Sequence, residues 1–147
     1  MKKFEVVTEP LDINKYHKMT VNAHQGAVCT FTGHVREWTK GTRTVYLEYE
    51  AYIPMAEKML AQIGDEISAR WPGVITAIGH RIGKLEISDI AVVIVTSSPH
   101  RTDSYRANEY AVERLKEIVP IWKKEIWEDG EEWIGDSRKY HPSVEEN

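Results

Sequence analysis

Residues 90–101 read Ile90-Ala91-Val92-Val93-Ile94-Val95-Thr96-Ser97-Ser98-Pro99-His100-Arg101. The apolar run up to Ser97 lacks the alternation of a half-exposed strand, so it belongs in the interior of a sheet. A helical pattern follows at once. Ser98 suits an N-cap and Pro99 the first helical position. The helix is expected from about Pro99 to Val119, with Tyr105, Ala111, Val112, Leu115 and Ile118 inward, and Pro120 stops it. His100 and Arg101 then fall in the first turn, where the helix dipole is already positive. An anion gathered by free backbone N–H groups and both side chains relieves that conflict. The alternative is a pair of solvated surface cations.

Working outward, Phe4–Val7 reads as a short strand. Asp12 reads as the N-cap of a helix to about Val21, with Ile13, Tyr16 and Met19 inward. Ala27–Val35 is β-rich, and residues 36–43 read as a cationic loop carrying Arg36, Lys40 and Arg43. Thr44–Tyr52 alternates Val45, Leu47 and Tyr49 against Tyr46, Glu48 and Glu50. These two strands are expected to form a hairpin with a long mobile tip. Pro54 opens a helix with Met55, Met59, Leu60, Ile63 and Ile67 on one stripe, ending near Trp71-Pro72-Gly73. Strands are expected at Val74–Ile82, Lys84–Ile87, Ile121–Trp127 and Glu131–Ile134. Hairpins mixed with a few helices favour an α+β fold over a doubly wound sheet.

The chain has 147 residues, the length of one domain, and residues from about 138 to 147 look like a frayed tail. It shows no signal peptide and no long apolar span, which points to a cytoplasmic protein and away from a membrane partner. Net charge is −4, concentrated at the end: residues 125–147 hold eight acidic and two basic side chains. A near-neutral body with an acidic end argues against nucleic-acid binding. Cys29 is the single cysteine. It stands among apolar and Thr neighbours with no local positive partner, so it reads as a structural thiol. His17, His24 and His141 show no metal-ligand spacing and His34 and His80 lie on or beside strands, so no metal site is expected.

The candidate cations are Arg36, His100, Arg101, Lys116 and Lys123. Arginine forks suit phosphate or carboxylate, and His and Lys add donors. Arg101 and Lys116 lie 15 residues apart on one expected helix, roughly 22 Å. Two ends of one straight helix cannot grip one small ligand. Either there are two sites, or a second copy of the chain brings its His100 and Arg101 beside the first copy's Lys116, as a symmetric dimer does. Lys116 and Lys123 straddle Pro120, with Trp122 and Trp127 nearby. A lysine in a partly apolar cleft can serve as acid, base or nucleophile; an exposed basic pair with Lys124 is the alternative.

Taken together, five segments resemble the catalytic large subunit of molybdopterin synthase. They are Phe31-Thr32-Gly33-His34-Val35-Arg36; Tyr49-Glu50-Ala51-Tyr52 with Met55-Ala56-Glu57-Lys58; His80-Arg81-Ile82-Gly83; Ser98-Pro99-His100-Arg101; and Pro120-Ile121-Trp122-Lys123-Lys124-Glu125. The resemblance spans roughly residues 3–138. It implies an α/β-hammerhead-like domain and a homodimer at the centre of a heterotetramer. A small ubiquitin-like sulfur-carrier subunit would insert its C-terminal Gly-Gly thiocarboxylate at each end. The substrate implied is cyclic pyranopterin monophosphate, which receives two sulfurs to form the molybdopterin dithiolene. The resemblance likewise implies no cofactor.

Carried over by position, the family's substrate contacts fall on His34, Val35, Arg36, His100, Arg101, Lys116, Lys123, Lys124 and Glu125, with Lys116 and Lys123 catalytic. The sulfur nucleophile would come from the partner, so no reactive cysteine is needed. The chain departs from the pattern at Ser88-Asp89, where glycine and an acid are expected, and Arg138 is the nearest match to a further pocket arginine. The Ile121–Ile134 hairpin with its tryptophans is a candidate docking surface for the carrier tail, or else a cover for the core. Two rivals remain: a non-catalytic dimeric anion-binding or assembly module, and a small hydrolase using Cys29.

Overall fold

The computed structural model describes residues 2–134, so the tail expected from about 138, and Arg138 with it, lies outside the described residues. The apolar run forms β7 (Ile90–Ser98), an interior strand of a four-stranded sheet. Its order is β1 (Phe4–Val7), β5 (Ile75–Arg81), β7, β2 (Ala27–His34). β1 is parallel to β5 and the other pairs are antiparallel. Both faces of β7 are covered. Val93 and Val95 pack with Ala77 and with Tyr16 of α1 (Ile13–Thr20). Ile94 packs on the other side with Leu60, Ile63 and Ile67 of α2 (Ile53–Arg70) and Ala107 and Ala111 of α3 (Arg101–Ile118). Burial on two sides is why the run shows no alternation.

Each helix has a local cause. Asp12 caps α1 by accepting the Asn14 N–H at 3.0 Å. Tyr16 points inward as expected, and its hydroxyl donates to Glu5 at 2.6 Å. Gly79 leaves the space that this hydroxyl fills. Burial pushes the Glu5 carboxyl up, but the hydrogen bonds from Lys15 and Tyr16 outweigh it and hold it below the usual carboxylate value. Ile13, expected inward, is exposed. α2 carries Pro54 in its first turn and buries Ala56, Leu60, Ile63 and Ile67.

α3 departs from expectation at its start. Ser98 remains in β7, its hydroxyl donating to the His100 carbonyl, and His100 is the N-cap without a side-chain capping bond. Tyr105 is 58% exposed, and the inward face is Ser104, Ala107, Asn108 and Ala111. The inward polar side chains are satisfied by the strands. Thr96 Oγ1 donates to the Ser104 carbonyl at 2.8 Å, and Asn108 Nδ2 donates to the carbonyls of Ile94 and Cys29 at 3.1 Å each. A count of apolar positions cannot see such bonds. They also fix direction: Ser104 lies at Thr96 and Asn108 at Ile94, so α3 runs back along β7.

The second sheet orders β3 (Trp38–Thr39), β4 (Thr42–Ala51), β8 (Ile121–Trp127) and β9 (Gly130–Ile134), with β6 (Gly83–Glu86) on the other edge of β4. The expected hairpin between residues 27–35 and 44–52 does not form. β2 pairs with β7, whereas β4 pairs with β6 and β8. Alternation identified both strands but could not choose their partners, and the buried β7 claims β2. The expected cationic loop is a short ribbon. Trp38 pairs with Arg43 around Lys40 and Gly41, whose φ values of 50° and 82° suit a two-residue turn with both central residues left-handed. Arg43 is held by Glu37 at 2.6 Å and Glu128 at 3.0 Å.

The two sheets meet over Val35, Leu47, Leu85 and Ala91, with Tyr49 and Ile87 against them. His80 sits at this junction, 5% exposed, its ring edge-on to Tyr49 at 5.2 Å. Its Nδ1–H donates to the Arg81 carbonyl at 2.9 Å. Burial pushes the imidazole down to about 4, against that hydrogen bond, which acts in the opposite sense. The turn from β6 to β7 is closed by Asp89 N–H donating to the Glu86 carbonyl at 3.0 Å, with Ser88 at φ 77°. That left-handed backbone explains why glycine is the residue expected there.

Two outcomes follow from these positions. Ser88→Gly is expected to raise the unfolding free energy by about 1 kcal/mol, by relieving the left-handed strain; a lower urea midpoint in the variant would refute it. His80 is neutral when folded and titrates near its ordinary value when unfolded. The unfolded state therefore takes up more protons as pH falls from about 6.5 to about 4. Stability contributed by the neutral ring is full above that window and is lost downward through it, by on the order of 3 kcal/mol. Melting curves of His80→Gln are expected to show a flatter pH dependence in that window; an unchanged slope assigns it elsewhere.

Candidate active site

His34, Val35 and Arg36 stand where β2 runs out beside the start of β7. The register shifts between Gly33 and His34, which pair with Val92 and Ile90. The His34 ring is held at both nitrogens, Nδ1 by the Ser88 carbonyl at 2.9 Å and Nε2 by the Thr32 hydroxyl at 3.0 Å. A carbonyl can only accept, so Nδ1 carries the hydrogen. Val35 is 3% exposed; its N–H donates to the Asp89 carbonyl and its own carbonyl accepts from Ser88 N–H. Both its backbone groups are engaged and its side chain is in the core. Val35 therefore anchors the strand end between His34 and Arg36. Arg36, next along, is exposed at the surface.

β8 brings its residues to the same end. Gly33 pairs with Val92, Val92 with His80, and the His80 ring meets Tyr49, which pairs with Lys123. Directly opposite residues share a face, so Lys123 lies beside Tyr49, and Glu125 beside Leu47. Lys123 Nζ is 3.9 Å from Glu125, and the Trp127 indole N–H donates to Glu125 at 3.0 Å. The Glu125 side chain is 16% exposed and that of Lys123 32%. Lys124 faces the other way. Its ammonium is 3.6 Å from Glu48 and from Glu131 and lies over the Trp133 ring. One small ligand cannot meet the Lys123 and Lys124 ammonium groups on the same face of β8.

His100 and Arg101 stand exposed at the opposite end. β7 spans nine residues between His34's partner Ile90 and Ser98, a length of roughly 26 Å. Lys116 is in the last turn of α3, exposed, where its charge complements the helix dipole. Because α3 runs back along β7, Lys116 lies toward the His34 end, about 22 Å from Arg101. One chain thus gathers His34, Arg36, Lys123 and Glu125 at one end, with Lys116 directed toward it, and carries His100 and Arg101 at the other. The two-ended arrangement inferred from helix length holds within the chain.

Cys29 is half-buried, and burial pushes its thiol up, away from the thiolate a nucleophile needs. The contact between His80 and Tyr49, which lies opposite Lys123, did not emerge from the sequence, although His80 falls in phase with buried Ile78 two residues earlier on β5. Among the described residues, no group of three or more His, Cys, Asp or Glu is placed to hold a metal ion. No helix among them is long and apolar enough to cross a membrane.

Known proteins share both the sequence and this fold. The family described as MoaE protein matches residues 6–118. The molybdopterin synthase catalytic subunit of Staphylococcus carnosus is 68% identical over 146 residues, covering 99% of this chain and 97% of that protein. A crystal structure of molybdopterin synthase from Staphylococcus aureus superposes with a TM-score of 0.90 at 72% identity, covering 92% of this chain and 98% of the other. At 20% identity and a TM-score of 0.75, over 95% of this chain and 94% of the other, the fold recurs in a Helicobacter pylori protein–protein complex of subunits 1 and 2 of molybdopterin-converting factor. The chain belongs to the MoaE protein family, the enzymes named molybdopterin synthase catalytic subunits.

Proposed function

We propose that this enzyme transfers sulfur from the C-terminal thiocarboxylate of a small carrier subunit to cyclic pyranopterin monophosphate, forming the molybdopterin dithiolene of the molybdenum cofactor. Residues 1–147 act as one catalytic domain in the cytoplasm, paired in a homodimer with a carrier subunit at each end. The observation that carries the arrangement is the length of β7 and α3 between the two groups of cations. A phosphorylated pterin can meet both groups only if the His100–Arg101 end of one copy abuts the Lys116–Lys123 end of the other. The S. aureus relative, so close in sequence and shape, supports the reaction. The H. pylori complex offers a precedent for the fold joined to a second subunit.

In this reading His100 and Arg101 hold the phosphate with free N–H groups of the first turn of α3, joined by Arg36 of the facing copy. His34, fixed by Ser88 and Thr32, lines the same mouth. In each of two rounds the carrier's thiocarboxylate sulfur attacks a pterin side-chain carbon as that carbon's C–O bond breaks, the oxygen leaving as water or on the opened phosphate. Water then attacks the carrier's acyl carbon and the acyl C–S bond breaks, leaving sulfur on the pterin and a carboxylate on the carrier. Lys116 stabilises the negative oxygen that develops on the carrier's carbonyl as that acyl group is released to water. Lys123, with Glu125 beside it, holds the pterin side and moves protons. Val35 supports Arg36 from the core, and Lys124 steadies the outer face of β8.

The test mixes the purified protein with a thiocarboxylated carrier and the cyclic pterin phosphate. Dithiolene product is expected, and its absence with competent components overturns the reading in favour of an anion-binding assembly module. Lys116→Ala is expected to lower turnover by about a hundredfold or more, and Lys124→Ala to lose far less than Lys123→Ala. Mixing inactive Arg101→Ala with inactive Lys116→Ala tests the shared site. Random exchange of copies leaves one intact site in each mixed dimer, so about a quarter of wild-type activity should return. No recovery after verified subunit exchange would place both residues in a site within one chain.

A further inference from the structure

Lys123 stands directly opposite Tyr49, an aromatic side chain that the proposed reaction does not use and that contacts His80 in turn. Across the second sheet Tyr49 is flanked by Gly83 of β6 on one side and Lys123 of β8 on the other. Gly83 carries no side chain, so the phenol ring has Lys123 as its one side-chain neighbour in that row. The ring packs against both the helix-side core and the junction core, and the edge contact with His80 comes in at 73°. His80 is itself tied to the Arg81 carbonyl. A lysine on the inward face of a strand, opposite a ring held in this way, has few directions left for its stem.

We propose that Tyr49, braced by His80, is a positioning residue for Lys123: the ring walls the inward side of the lysine and leaves Glu125 as the carboxylate that faces the ammonium. Burial and then the Glu125 charge push the Tyr49 phenol up to about 12, and burial pushes His80 down to about 4. The wall therefore stays uncharged at neutral pH and does not compete with Glu125 for the lysine. A displacement of about 1 Å in a reacting group can lower a rate a hundredfold, so a rigid neutral backing has catalytic value without touching substrate.

The inference rests on the reading of Lys123 as a reacting residue, and the experiment separates the two. Turnover of the dimer is measured with carrier and cyclic pterin phosphate for Lys123→Ala, Tyr49→Leu, Tyr49→Phe and His80→Leu, each checked by thermal melting. Tyr49→Leu is expected to lower kcat by about tenfold or more with KM within about threefold. Tyr49→Phe, which keeps the ring, should restore at least half of kcat. His80→Leu should lower kcat severalfold, and it carries the test if Tyr49→Leu does not fold. Full kcat in folded Tyr49→Leu or His80→Leu, with Lys123→Ala inactive, overturns the positioning role alone. Equal losses in Tyr49→Phe and Tyr49→Leu also overturn it, because they assign the effect to the hydroxyl. Full turnover in Lys123→Ala removes the reading of Lys123, and this inference with it.

Discussion

The burial of β7 on both faces is the constraint from which the rest of the molecule follows. A strand with apolar side chains on each side must be covered twice. α1 covers one face through Tyr16, and it can approach because β5 offers Gly79 at the crossing point. α2 and α3 cover the other face with aliphatic side chains and alanines. Once both layers are in place, β2 has β7 as its neighbour, and β4 is left to found the second sheet with β6 and β8.

Polar bonds inside this packing set the alignment that hydrophobic contact alone leaves loose. Asn108 ties α3 to two strands at once through the carbonyls of Ile94 and Cys29, and Ser104 is tied to Thr96. At the far end the Ser97 hydroxyl donates to the Thr20 carbonyl at 2.6 Å and Gln25 bridges Ser97 and Gly73. Buried polar groups are costly unless paired, so these bonds restrict how far the helix can slide or turn on the sheet. The positions of His100, Arg101 and Lys116 are thereby transmitted from the interior.

Much of this was legible in the residues. Hydrophobic period located the three helices among the described residues and the major strands, and the two-sided burial of β7 could be inferred from its missing alternation. The distance between Arg101 and Lys116 needed only helix rise. Three features were out of reach for physical reasons. Strand partners depend on competition among edges, so the pairing of β2 and β4 was misassigned. The inward face of α3 is polar at Ser104 and Asn108 near its start, which an apolar stripe cannot register and which turned Tyr105 the wrong way, whereas Ala111, Val112, Leu115 and Ile118 lie in or against the core as expected. Proline after Ser98 looked like a helix start, but Ser98 is needed in the strand, where it pairs with Ala27. Among site residues, the types and neighbourhoods were evident, whereas the opposite facing of Lys123 and Lys124 and the burial of Val35 emerged only from the sheet.

The span of α3 has a consequence for how this sequence can change over time. The helix bears cations at both tips and is pinned near its middle to β7. One residue inserted or removed beyond the pin would rotate a tip by about 100° and shift it by about 1.5 Å, while the opposite tip stayed where it was. Point replacements along the solvent side leave the spacing untouched. α3 should therefore drift in residue identity while keeping its count of residues, like a gauge block whose faces weather but whose thickness may not.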